Sequence, residues 1–273
     1  MRAAALCALL PLHAAWASSF CDAPGWARAW HDDFSGPALD AEAWNVVAGA
    51  DVGSCRSALC TPGNVAVHDG ALWLTTRREA VGAHNYTTGA VTTKGKRAFS
   101  PAEGGTWRGC VRARLPGAMS PPGAAQGLWP AIWWMPNDDS CDPDEGEMDV
   151  LEMVNGDGAG WSTYHWQTTW PAHNCSYPKG HLSTSAHTLL TAWNATFHEF
   201  AVERAETYLA FVYDGVTVLN TSGAGGPRPL LWDVPFYLIV NTALGGGWPG
   251  EPTAATALPA VHTIDSVTVS RAA

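Results

Sequence analysis

Charged side chains are scarce in this chain. Asp, Glu, Lys and Arg make up 15% of its 273 residues, which argues against long solvated helices. Basic residues are the rarer sign, 15 Lys and Arg against 25 Asp and Glu, for a formal net charge of −10. A partner surface for nucleic acid or anionic membrane needs the opposite balance, because phosphates are held by cations. No Cys-x2-Cys pair occurs among the seven cysteines, so the usual zinc-site spacing is missing. Beyond the N-terminal segment no apolar run is long enough to cross a membrane as a helix. The last residues, Val267 to Ala273, lack the hydrophobic tail of a lipid-anchor signal. Sequence repeats, linker-like stretches and sustained helical periodicity are also missing, so a single domain over residues 18–273 is expected.

What is present begins with a secretory signature. Arg2 supplies the positive start, Ala3 to Leu12 the apolar stretch, and Ala15-Trp16-Ala17 a small-x-small cleavage site, so residues 1–17 read as a signal peptide and the chain as secreted. Cys7 leaves with that segment. Cys21, Cys55, Cys60, Cys110, Cys141 and Cys175 remain, an even set suited to disulfides in an oxidising compartment. The one pair proposed is Cys55–Cys60, across a short loop. Four glycosylation acceptors, at Asn85, Asn174, Asn194 and Asn220, fit the same route.

Gly 28 and Pro 19 indicate many turns, and a hydrophobic fraction of 47% is ample for a core. Short alternating segments recur between turn signals. Ala71 to Thr76 follows His68-Asp69-Gly70, where Asp-Gly marks a tight turn. In Trp107 to Leu115, Val111, Ala113 and Leu115 alternate with Arg112 and Arg114, which buries one face. Ser183 to Thr191 is the one stretch compatible with a short helix. The pattern predicts an all-β sandwich of two antiparallel sheets.

The densest chemistry lies in Glu147-Met148-Asp149-Val150-Leu151-Glu152. On a regular strand Glu147 and Asp149 share a face and Glu152 takes the other. A β-bulge after Asp149 adds one residue and returns Glu152 to the same side. The strand then carries three carboxylates toward a cleft and Met148 and Met153 toward the core. A calcium loop of the EF-hand type is excluded, since with Gly146 as its sixth residue the first and third positions are Cys141 and Pro143. Two carboxyl groups close together suit glycosidic-bond cleavage with retention, one attacking the anomeric carbon and one handling the proton. Glu147 and Glu152 lie roughly 13 Å apart along a flat strand, so they converge only on a curved sheet. Fifteen tryptophans exceed what a core of this size needs, and flat aromatic rings suit flat sugar faces.

These residues carry a resemblance. Glu147-x-Asp149-x-x-Glu152 resembles the signature of glycoside hydrolase family 16, in the bulged form of laminarinase-like endo-β-1,3-glucanases. Supporting stretches are Asp32-Asp33-Phe34, Gly127-Leu128-Trp129-Pro130-Ala131-Ile132-Trp133, Tyr164-His165-Trp166, Phe236 to Asn241 and Gly245-Gly246-Gly247-Trp248-Pro249-Gly250. The resemblance spans about residues 30 to 270. It implies a β-jelly-roll sandwich with a concave carbohydrate cleft. It implies Glu147 as nucleophile, Glu152 as acid/base and Asp149 as assisting acid. His165, Trp129, Trp133, Asn64 and Trp248 match cleft positions, with packing as the competing role for His165, Asn64 and Trp248. Trp134, adjacent to Trp133, points the other way, into the core. The resemblance implies no cofactor for the reaction. In part of the family a structural calcium is held at positions matching Asp265 and the Gly70 carbonyl. The expected partner is a β-glucan polysaccharide, met by a monomer. The loops at Met119 to Gly123 and after His165 leave open the choice between β-1,3 and mixed linkages. A transglycosylase, a non-catalytic β-1,3-glucan recognition protein and a galactan-cleaving enzyme are the alternatives; retention of all three acids speaks against the recognition protein.

Overall fold

The computed structural model describes residues 19–50, 53–137, 146–167, 181–222 and 233–273. Within them the strands are β1 Trp26–Asp32, β2 Asn45–Val46, β3 Leu59–Cys60, β4 Val65–His68, β5 Ala71–Thr76, β6 Thr87–Thr88, β7 Ala90–Thr92, β8 Trp107–Arg114 and β9 Leu128–Pro136. The chain continues with β10 Glu147–Glu152, β11 Ala159–Gln167, β12 His181–Leu189, β13 His198–Arg204, β14 Leu209–Tyr213, β15 Val216–Asn220, β16 Phe236–Leu244 and β17 Ala260–Ala272. The expected signal segment, Cys141, Asn174 and Cys175 lie outside the described residues.

Two antiparallel sheets result. One runs β15-β14-β13-β8-β17-β5-β4, with β1 also on β17; the other runs β12-β11-β10-β9-β16-β7-β2. The turn between β4 and β5 places Asp69 and Gly70 at φ 52° and 69°, the left-handed pair that a two-residue hairpin loop requires. Between the sheets Trp107 of β8 and Trp134 of β9 meet with ring centroids 5.0 Å apart, and Phe99 packs beside both. Gly109 makes this contact possible. A Cβ at that position would lie 2.5 Å from the Trp134 ring, so any side chain would push the sheets apart. Trp134 is buried, as expected, while its neighbour Trp133 faces the other side.

One expectation is corrected. Residues 183–191 do not form a helix, since β12 pairs with β11 from His181 to Leu189. Ser183, Ser185, His187 and Leu189 are exposed while the residues between them are partly covered. That period of two is the strand period, and Ser and Thr, weak in helix interiors, sit readily at a sheet edge.

Two disulfides are present among the described residues. Cys55–Cys60 closes the short loop that was expected, and Cys21–Cys110 ties the N-terminal segment to β8. The second pair spans 89 residues, and only the fold brings those positions together.

Candidate active site

β10 is an inner strand of the seven-stranded sheet, between β9 and β11. Asp149 pairs with Trp133 and Thr163, while Glu152 pairs with Ala131 and Trp161. Three steps along β10 therefore match two steps along each neighbour, so one extra residue sits between Asp149 and Glu152. This is the bulge that the carboxylate spacing demanded, and it restores Glu152 to the face of Glu147 and Asp149.

A bulge frees backbone groups from the ladder, and buried ones must find partners. Here the Val150 carbonyl accepts from the Tyr213 hydroxyl at 2.8 Å and the Ser162 hydroxyl at 2.7 Å. Tyr213 comes from β14 of the opposite sheet, so the bulge is pinned through the core. Burial holds the Tyr213 phenol neutral well above its usual range. Tyr213→Phe is expected to cost about 1 kcal/mol, because Ser162 still serves the carbonyl. That corresponds to a Tm lower by about 2–4 °C. Thermal melts with parallel kinetics check this; kcat is expected to fall with KM little changed, as the looser bulge misplaces Glu152.

All three acids line an open cavity of about 90 Å³, together with Arg56, Trp129, Ala131, Trp133, Asn241 and Ala243. The pit exists because Ala131 and Ala243 are small residues between two large indoles. The Trp129 indole donates to Glu152 Oε1 at 3.0 Å, and the Trp133 indole donates to Asn241 Oδ1 at 2.8 Å. Asn241 also donates to the Ser54 carbonyl, so Trp133 is held in place by a residue that is itself fixed. Asp149 is buried, with its Oδ2 3.0 Å from His165 Nε2. His165 is the cross-strand neighbour of Glu147, not of Glu152.

The electrostatics act on Glu152. Burial, and next the negative charge of Asp149, push Glu152 up to about 8; the Trp129 hydrogen bond and the Arg56 charge oppose this. Glu152 thus carries a proton at neutral pH, which an acid catalyst needs.

Residues 59–265 match the profile of glycosyl hydrolases family 16. The chain belongs to this family. It is a glycoside hydrolase. It is 29% identical over 265 residues to a beta-glucanase of Rhodothermus marinus, covering 91% of this chain and 86% of that one. It superposes on the laminarinase catalytic domain of Thermotoga maritima with a TM-score of 0.73 and 26% identity, covering 90% of this chain and 98% of the other. A keratan-sulfate endo-1,4-beta-galactosidase of Sphingobacterium multivorum is 35% identical over 150 residues, 53% of this chain and 33% of that protein.

The remaining family-derived positions divide. Trp248 is 46% exposed at the cleft rim, edge-on to Trp129 with centroids 5.3 Å apart. Its turn is anchored by Gln126 and Asn155, whose amides donate to the Pro249 carbonyl at 2.6 and 3.0 Å. Asn64 is not in the cleft. It is buried, and its amide nitrogen donates to the Thr75 carbonyl and the Thr87 hydroxyl, so its role is to bind neighbouring segments together. Asp265 lies apart from the cleft on β17, with its Oδ2 2.6 Å from Arg112. A carboxylate already neutralised by a guanidinium is a poor calcium ligand, and no group of three His, Cys, Asp or Glu gathers among the described residues. Asp265 and Gly70 therefore fit the ion poorly.

Arg56 and Asn241 were not singled out from the sequence. Arg56 sits in the Cys55–Cys60 loop with its guanidinium 4.8 Å from the Trp129 ring centre. A lone Arg in a Cys-rich loop gives no sign of which indole it will cover. Asn241 is a polar residue inside an apolar strand signal, and that is the available clue.

Proposed function

We propose that this chain is a secreted, retaining endo-β-1,3-glucanase acting on laminarin-type and mixed-linkage β-glucan. One observation carries the reading: the β10 bulge gathers Glu147, Asp149 and Glu152 in one tryptophan-lined cavity. The names of the beta-glucanase and laminarinase relatives support the substrate class. The expected N-terminal signal and the two disulfides support secretion.

In this mechanism the Glu147 carboxylate attacks the anomeric carbon while Glu152 gives its proton to the departing glycosidic oxygen. A covalent glycosyl–enzyme forms and the leaving sugar departs as an alcohol. Glu152, now ionised, takes a proton from water, which attacks the same carbon from the face the leaving group vacated. Glu147 is released, and two inversions amount to retention. The negative charge of Asp149 beside Glu152 raises the proton affinity of Glu152. His165 keeps Asp149 oriented.

The test is product analysis on laminarin, lichenan, xyloglucan, agarose and keratan sulfate, with the anomeric configuration followed by NMR. Cleavage of laminarin, with lichenan second and first-formed β-anomers, is expected. First-formed α-anomers would overturn the retaining mechanism. Preference for agarose or keratan sulfate would overturn the substrate. Disproportionation without new reducing ends would make the chain a transglycosylase, and binding without turnover a recognition protein.

A further inference from the structure

Glu152 stands in a row that crosses the sheet. On one side are Ala131 of β9 and Asn241 of β16; on the other are Trp161 of β11 and His187 of β12. Pairing in register puts these side chains on one face of the sheet. The cavity lies over the Ala131 side. The other side carries an aromatic surface, and His187 at its edge also lines a second cavity with Leu190 and Tyr213. The Trp161 and His187 rings lie 4.4 Å apart at 33°, and Trp248 stands edge-on to Trp161 at 6.3 Å and 71°. His187 is exposed and Trp161 is partly exposed, so neither ring belongs to the core. Beside them on the same face is the exposed Ser185, a hydroxyl next to an apolar plate, while its cross-strand partner Thr163 is buried.

A sugar ring has an apolar face and a rim of hydroxyls, and this surface offers the complement of both. The ring under nucleophilic attack must be enclosed and held, which assigns it to the pit. The next ring toward the leaving group then crosses Glu152 onto Trp161. We propose that Trp161 and His187, flanked by Trp248, form a binding platform for the pyranose ring on the leaving-group side of Glu152. The platform rests on the hydrolase reading above and adds to it a specificity determinant. It selects substrates that extend past the scissile bond, and it positions the sugar whose oxygen Glu152 protonates. The same surface would receive an acceptor sugar when the glycosyl–enzyme is intercepted by glucan instead of water.

The test compares two substrates in wild type, Trp161→Ala, Trp161→Phe and His187→Ala: a β-1,3-linked glucohexaose, and a nitrophenyl β-laminaribioside whose leaving group is not a sugar. In Trp161→Ala the ratio of kcat/KM for hexaose over aryl glycoside is expected to fall about ten-fold, the size of one lost aromatic contact. A smaller fall is expected in His187→Ala, and near recovery in Trp161→Phe. Transfer of the laminaribiosyl group from the aryl glycoside to added laminaribiose, with nitrophenol leaving, should weaken in parallel. His187 is exposed, so His187→Ala keeps the test open if Trp161→Ala folds poorly. Equal losses on both substrates, or an unchanged ratio in every variant, would overturn the platform. A wild-type chain that cleaves neither substrate would overturn the hydrolase reading instead.

Discussion

Glu147→Ala is expected to lose laminarin cleavage by on the order of 10⁴-fold or more while keeping its fold. The residue supplies the electron pair that replaces the glycosidic bond, and the cavity offers no second carboxylate in its place. Asp149 is buried and turned toward His165, and Glu152 is protonated and bonded to Trp129. Stability should change little, because Glu147 is only partly covered and faces an open cleft; truncation there empties no packed core. Circular dichroism and melting should therefore match wild type. With an activated aryl glycoside, azide entering the space vacated by the carboxylate should restore turnover and give an α-glycosyl azide. Wild-type turnover without azide would remove Glu147 from the nucleophile role.

Glu152→Gln should be as damaging on glucan, and it also separates catalysis from stability. Activity of the wild type should fall as pH rises through about 8, where Glu152 loses its proton. Stability follows the same group with a definite sign. An unfolded chain releases this proton near 4.5 and the folded one holds it to about 8. Between those values the native state binds the extra proton, so its stability declines as pH rises. The contribution is complete below about 4.5 and gone above about 8. Gln does not titrate and keeps the wild type's hydrogen bond from the Trp129 indole. The melting temperature of Glu152→Gln minus that of wild type should therefore grow across this window and then level off. A difference independent of pH would mean that Glu152 is not held protonated, and the acid role would fail with it.

The chain carries its strand class openly. Alternation in Trp107 to Leu115 and the Asp69-Gly70 turn are local properties, settled by side-chain period and by the few residues that tolerate positive φ. The stretch misread as helical, Ser183 to Thr191, is short and polar. Its strand character comes from pairing with β11, and pairing is not a local property.

The three carboxylates were legible for a similar reason. Their spacing conflicts with strand parity, and a single inserted residue resolves the conflict. A covalent order along one strand is enough to state that problem and its solution. What satisfies the bulge was not legible, because Tyr213 reaches Val150 from the other sheet. The same holds for Arg56 over Trp129, for Asn241 behind Trp133 and for Trp161 beside His187. Each contact joins positions distant in the chain, and sequence separation says nothing of which rings will face one another. The family pattern placed Asn64 among the cleft residues, but burial assigned it to packing. Asp265 kept its acid but gained an arginine. The order of residues along β10 by itself determined that three acids can share one face. Tertiary packing decided which of them holds a proton, because burial and a neighbouring charge exist only once the sheets have closed.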